Sequence, residues 1–187
     1  MKIMKFFLIV IIVSIVCPAH ALTKPEQKLF AISKQDEVTQ SNLKILRNLI
    51  KEVNVNAKDE EGNTALMWAS LGGHAQIVKM LLDHGADIEG HDKHGFHALM
   101  RAALGDHENI VRMLLEHGAD IDAQNEDGNT ALMLAAATNR ANDVQMLLEH
   151  GANVNVKNKD GKTALMLAQA MEYDEIAQMI KAHKKTR

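Results

Sequence analysis

Apolar residues recur along this chain in pairs of short segments that repeat every 33 residues. In each period, an alanine-rich segment is followed by a short polar turn and then by a segment with apolar residues at helical spacing. This pattern predicts two amphipathic helices in every period. The first helices are expected at about 65–71, 98–104, 131–137 and 164–171, and the second at about 75–84, 108–117, 141–150 and 174–183.

Two sequence motifs keep the same period and mark the ends of these helices. Gly-Asn-Thr-Ala-Leu-Met begins at residues 62 and 128, and the variants Gly-Phe-His-Ala-Leu-Met and Gly-Lys-Thr-Ala-Leu-Met begin at 95 and 161. His-Gly-Ala followed by Asp or Asn begins at residues 84, 117 and 150, and its glycine is expected to end each second helix in the left-handed conformation. Asp106 and Asn139 precede two of the second helices, and we expect them to act as caps.

This arrangement of motifs resembles the ankyrin repeat. The resemblance implies an all-α, ankyrin-repeat solenoid of helix-turn-helix units, with β-turn or hairpin fingers between units. The chain departs from the family systematically, because the usual Thr-Pro-Leu-His is replaced by Thr-Ala-Leu-Met, and His97 replaces the Thr of one unit. Alanine is a good helix former, so the fold expectation is kept. The hydrogen bonds that the family's His makes between neighbouring repeats are expected to be lost.

The period also predicts the organisation of the chain. Residues 22–57 should form N-terminal capping helices, with one apolar face at Leu29, Phe30 and Ile32 and another at Leu43 and Leu46. Four repeats follow at 58–90, 91–123, 124–156 and 157–187. The last lacks the closing motif and is expected to serve as the C-terminal cap.

Residues 1–21 have the layout of a signal peptide, with a basic start, an apolar run from 6 to 17 and small residues before a cleavage site after Ala21. Export to the periplasm is the first expectation and secretion beyond the cell the second. A retained anchor is the alternative. Removal of Lys2 and Lys5 makes the formal net charge more negative than −3, which disfavours nucleic-acid binding. We expect a monomer with no membrane association after cleavage.

Catalytic motifs are missing from the sequence. Cleavage after Ala21 would remove Cys17, which is the one cysteine of the chain, and no nucleophile elbow or phosphate-binding loop occurs. The sequence therefore predicts a protein that is not an enzyme and has no cofactor.

Histidine and methionine suggest two other roles. His91, His94 and His97 lie within seven residues and are candidate ligands for zinc or copper, although their spacing matches no structural zinc pattern. Eight of the eleven methionines form two columns of period 33, which suggests either flexible packing or an oxidant-protective structural protein.

The resemblance implies partner binding on the concave side, made of the fingers and the exposed face of each first helix. Trp68 and Arg101 are residue types favoured where binding energy concentrates. Trp68 packing against the cap and neighbouring fingers is the alternative. The candidate contact residues are Trp68, Leu71, Arg101, Leu104, Leu134 and Leu167 on the helices, and Glu60, His91, Lys93, His94, Asn125, Lys157 and Lys159 on the fingers. The sequence thus predicts a non-catalytic module that binds another protein.

Overall fold

The computed structural model describes residues 22–35 and 39–185. The predicted signal peptide, residues 1–21, lies outside the described residues. Within the described ranges the chain is an all-α repeat solenoid with ten helices, and none of them is long and apolar enough to cross a membrane. The helices are α1 (Lys24–Ser33), α2 (Gln40–Leu49), α3 (Ala65–Leu71), α4 (Ala75–Asp83), α5 (Ala98–Gly105), α6 (Glu108–Glu116), α7 (Ala131–Ala137), α8 (Ala141–Glu149), α9 (Ala164–Ala170) and α10 (Asp174–Lys185).

Threonine side chains begin most of the first helices. Thr64, Thr130 and Thr163 each accept a hydrogen bond from the backbone N–H three residues later, over 3.3–3.4 Å. Such a bond satisfies a donor that the first turn of a helix leaves free. His97 occupies the same position before α5 and makes no side-chain capping bond.

The expected capping role of Asp106 and Asn139 is wrong. The residues that flank α6 and α8 are His107 and Arg140, and neither helix has a side-chain cap. Asp106 and Asn139 instead have φ of 63° and 60°. Asp and Asn tolerate this left-handed conformation better than most residues, so the two side chains serve a tight turn between helices.

Each unit buries the apolar face of the unit before it. The alanines at 69, 102, 135 and 168 are all fully buried, which allows the first helices to pack closely. The methionine column shows the effect of stacking: Met67, Met100 and Met133 are each 1% exposed, whereas Met166 in the last unit is 51% exposed. One continuous core therefore runs from α1 to α10 in the described part of the chain.

Tight turns project between the helix pairs and stack on one another. We call them the fingers, and they comprise residues 59–63, 92–96, 125–129 and 158–162. In each finger the first residue donates its N–H to the carbonyl of the fifth and accepts from the N–H of the fourth. Backbone N–H groups of Lys93, Glu126 and Lys159 donate to carbonyl oxygens of the preceding finger over 2.9–3.0 Å. The fingers thus form a ladder parallel to the helix stack.

Asp143 interrupts the core between the second and third repeats. It occupies the position held by Ile77, Ile110 and Ile176, and like them it is 0% exposed. Neither carboxylate oxygen has a hydrogen-bond partner with good geometry. Burial, assisted by the negative charge of Asp106, raises the pKa of Asp143 to about 7, while Arg140 acts in the opposite direction.

We expect this carboxyl group to make the protein less stable as the pH rises. The pKa is raised in the folded state, so the stabilising contribution is complete below pH 4 and is lost as the pH passes about 7. Between pH 5 and pH 8 the loss should reach up to about 3 kcal/mol. Urea unfolding of Asp143→Ile at both pH values should show higher stability than the natural chain, with the larger gain at pH 8.

The variant Asp143→Asn provides the matched control. It removes the charge but keeps a buried polar group, so it should lose the pH dependence without the full gain in stability. The account is contradicted if Asp143→Ile is less stable than the natural chain at pH 8.

Candidate functional site

The fingers and the first helices form one surface, because side chains on the helices reach the finger of their own unit. We call this the finger–helix surface. The helix side of the predicted set is partly buried rather than freely exposed, and it comprises Trp68, Leu71, Arg101, Leu104, Leu134 and Leu167. The N-terminal and C-terminal halves of this surface differ. Trp68 and Arg101 donate hydrogen bonds to the fingers, whereas the leucine side chains cannot.

Trp68 is fixed by contacts with its own finger and with the N-terminal cap. Its indole Nε1–H donates to Asp59 Oδ2 over 3.0 Å. The ammonium group of Lys34, at the end of α1, lies 4.0 Å from the ring centre and 3.5 Å from the Asp59 carboxylate. The structure therefore agrees with the alternative that Trp68 packs against the cap. A pocket of about 370 Å³ remains beside it, lined also by Leu71.

Arg101 links two fingers. Its Nη2 donates to Asp92 Oδ2 in its own unit and to Asn63 Oδ1 of the preceding unit, the latter over 3.2 Å. The guanidinium also lies over the ring of Phe96, 4.7 Å from its centre. Because Asp92 is buried, this ion pair is shielded from solvent on the carboxylate side. Arg101 is thus a structural connector as well as a surface residue.

The first residue of each finger explains why two units have this network. In every unit its side-chain Oδ1 accepts two backbone N–H groups of the turn over 2.8–3.1 Å. Asp59 and Asp92 have a second oxygen for the donors Trp68 and Arg101. The other two units have Asn125 and Asn158, and there the helix residues are Leu134 and Leu167, which donate nothing.

Sequence reasoning missed these pairs, although the chain contains the signal. Aspartate begins a finger where the residue nine positions later is a donor, and asparagine begins it where that residue is leucine. A second carboxylate oxygen is useful only where a side-chain donor meets it. Comparing two columns of the repeat with each other, rather than reading each alone, would have identified the contacts.

The electrostatics of the two carboxylates follow from these bonds. Burial alone would raise the pKa of Asp59, but hydrogen bonds from Trp68 and Asn63 outweigh it and lower the pKa below its ordinary value. Burial likewise opposes ionisation of Asp92, and the backbone N–H groups of Phe96 and His94 together with Arg101 lower its pKa. Both groups are therefore charged partners throughout the neutral range.

The predicted finger residues divide into exposed and buried positions. The exposed ones are Glu60, His91, Lys93, His94, Lys157 and Lys159. Asn125 is only 6% exposed, because its side chain holds the turn of the third finger, so its expected role as a contact residue is not supported by its position.

The three candidate metal ligands do not come together as a set. His91 and His97 face each other across an antiparallel bridge, with ring centres 5.7 Å apart, and His94 is not part of this bridge. Among residues 22–35 and 39–185, no three His, Cys, Asp or Glu side chains are placed to hold one ion. The histidines of the closing motif bind helix carbonyls through Nδ1 over 2.7–2.8 Å, which accounts for them structurally.

Comparisons with known proteins agree with this architecture. A model described as ankyrin repeats (3 copies) matches residues 37–125, and one described as ankyrin repeats (many copies) matches residues 114–168. The chain belongs to the ankyrin-repeat family. Ankyrin repeats are themselves non-catalytic, and they imply a protein-interaction module.

One curated ankyrin-containing relative is the palmitoyltransferase akr1 of Schizosaccharomyces pombe. It is 48% identical over 52 residues, which are 27% of this chain and 8% of the relative. The match therefore spans a small part of that protein and concerns repeats alone.

Asp92→Asn tests the carboxylate network without disturbing the finger turn. Asparagine begins the third and fourth fingers naturally, so the turn should persist while Arg101 loses its charged acceptor. We expect a loss of roughly 1–2 kcal/mol at pH 7, measured by urea unfolding. Because the pKa of Asp92 is lowered, its contribution is present above the ordinary carboxyl range and is lost as the pH falls through the folded-state pKa. The difference between variant and natural chain should therefore shrink in acid.

The reverse change, Asn125→Asp, is the matched control. Its new carboxylate oxygen would face Leu134 instead of an indole or guanidinium donor. The side-chain donor left to it is the amide of Asn129, the counterpart of Asn63, which donates to Asp59 over 3.1 and 3.4 Å. Asn125→Asp should therefore gain less stability than Asp92→Asn loses; an equal or larger gain, or an Asp92→Asn without cost, would contradict the network.

Proposed function

We propose that this ankyrin-repeat protein is a non-catalytic module that binds a partner protein through the finger–helix surface, which is the concave side in the family. The observation that carries the proposal is the division of this surface. Its N-terminal half is held rigid by Trp68 and Arg101, and its C-terminal half presents Leu134 and Leu167 without polar partners. A preordered surface loses less side-chain entropy on binding than a mobile one.

The charge of the fingers gives this surface a direction. The first finger carries Asp59, Glu60 and Glu61, whereas the fourth carries Lys159 and Lys162 beside a single Asp160. A partner with the opposite charge order would be oriented during encounter, since exposed charges steer association more than they hold a complex. The apolar positions between these ends would then supply the lasting contacts.

Export is part of the proposal and rests on the sequence of residues 1–21. The basic start, the apolar run and the small residues before position 22 support a signal peptide. We place the protein in the periplasm first and outside the cell second. We propose that the protein acts by binding alone, because its sequence has no nucleophile elbow and no phosphate-binding loop.

The first-helix methionine column supports packing over oxidant protection. In the second column Met80, Met113 and Met179 are partly buried and pack against the core. Three of the four first-helix methionines are 1% exposed, so their sulfur atoms are covered by the neighbouring units. Oxidation of a buried methionine would place a polar sulfoxide in the core. A protein specialised to consume oxidant would present this column to solvent, and here only the last unit does so.

The test is partner capture with charge-matched variants of residues 22–187. Leu134→Glu with Leu167→Glu places two negative charges on the finger–helix surface. Gln76→Glu with Gln178→Glu adds the same charge at exposed positions on α4 and α10. We expect a partner captured from a native extract to bind the natural chain and the control equally, and to bind the leucine variant at least about tenfold more weakly.

Circular dichroism and urea unfolding should first show that both variants are folded. Equal binding by all three proteins, or equal loss in both variants, would reject the finger–helix surface as the binding site. Failure of the natural chain to retain any partner would reject the proposed function itself.

A further inference from the structure

We propose that His91 and His97 together bind a divalent transition-metal ion through their Nε2 atoms. The two residues are paired directly across the antiparallel bridge that leads into the second finger. Directly opposed residues of an antiparallel pair have Cβ atoms about 4.5–5.5 Å apart and project to one side. The pairing thus brings two imidazoles together without any third residue.

Hydrogen bonds set the tautomer of both rings. His91 Nδ1 lies 3.0 Å from the carbonyl oxygen of Asp92, and His97 Nδ1 lies 3.2 Å from that of Glu89. A carbonyl oxygen only accepts, so each Nδ1 carries the proton and each neutral ring keeps the lone pair on Nε2. This is the arrangement by which metal-binding histidines are oriented, with the second nitrogen donating to a carbonyl or carboxylate.

The separation of the rings fits a shared ion. Two imidazoles on one ion, with metal–nitrogen distances of about 2.0–2.1 Å and an open tetrahedral angle, place their centres roughly 5–6 Å apart. The observed ring centres are 5.7 Å apart, and the planes are inclined by 60°. The separation of the two rings is therefore within the range expected for two imidazoles on one ion.

The second repeat lacks the side-chain cap that begins the first helix in the other repeats, because His97 replaces the threonine. The other three repeats place Thr64, Thr130 and Thr163 at the position of His97, and each threonine caps its helix. His97 makes no capping bond, so the first turn of α5 lacks this stabilising contact. Residues that break a local rule of the fold are expected at functional sites.

Imidazole pairs favour the later divalent ions of the first transition row, namely Cu²⁺, Ni²⁺ and Zn²⁺. Glu89 contributes negative charge nearby, with a carboxylate oxygen 3.9 Å from His97 Nδ1, while Lys58 donates to the His91 carbonyl over 2.8 Å and opposes it. In the described part of the chain no third side chain completes the set. Water would fill the remaining positions, which leaves them open to a ligand from a partner.

Titration calorimetry of the full chain with Zn²⁺ tests the site, after removal of metal with a chelator. The substitutions are taken from the chain's other repeats. His97→Thr introduces the threonine that caps the first helix there, and His91→Gln introduces the glutamine found one repeat later, at position 124. We expect the natural chain to bind one ion, and each substitution to weaken binding about tenfold or more, since the second imidazole acts at high effective concentration. His94→Asn should bind as the natural chain does.

His97→Thr should unfold at the same or a higher urea concentration than the natural chain, because the threonine can cap the helix. A loss of zinc binding in this variant would then not result from misfolding. Absence of zinc binding by the natural chain overturns the proposal. So does a His97→Thr variant that binds undiminished, or a His94→Asn variant that loses as much affinity as the other two. The metal alone is the probe, so the outcome is independent of whether a partner binds the finger–helix surface.

Discussion

The close approach of consecutive fingers is the constraint on which the rest of this structure depends. A backbone N–H of each finger reaches a carbonyl of the preceding one over 2.9–3.0 Å. Gly95 permits this close approach for two reasons. Its φ of 75° is a conformation that favours glycine, and a Cβ atom at this position would lie only 2.8 Å from the backbone N of Glu126. Gly161 has a similar φ of 74°, but no atom lies within 4 Å of its added Cβ, since residues 163–185 contain no further finger. The repeat spacing is thereby set at the fingers as well as in the core.

That spacing determines what the finger–helix surface can present. With the fingers fixed, Asp59 and Asp92 stand where Trp68 and Arg101 can donate to them, and Arg101 can also reach Asn63 of the neighbouring unit. The same ladder holds the strand-like residues before α5, so that His91 and His97 face each other. In the surface that we propose for partner binding, the backbone of the fingers thus fixes the positions of the side chains, and only a few of these side chains differ from unit to unit.

The sequence predicted the fold and the helix bounds closely, because a 33-residue period repeats the helix-start motif four times and the closing motif three times. It predicted the candidate surface less well. Asn125 was expected at the surface and is buried, and Asp106 and Asn139 were expected as caps and are left-handed turn residues. Asp143 was missed entirely, since a carboxylate in a helical pattern is ordinarily solvated and only the column Ile77, Ile110 and Ile176 shows that it lies in the core. Such features depend on contacts between units, which periodicity alone does not describe.

The most direct measurement of finger stacking compares Gly95→Ala with Gly161→Ala by urea unfolding. Both variants place alanine at a positive φ, which costs about 1–2 kcal/mol in each. Gly95→Ala must in addition push the second and third fingers apart, so it should be at least about 1 kcal/mol less stable than Gly161→Ala. Hydrogen exchange should show the amide of Glu126 losing protection in the first variant alone. Equal destabilisation by the two substitutions, with the Glu126 amide still protected, would contradict the claim that finger contact governs the stack.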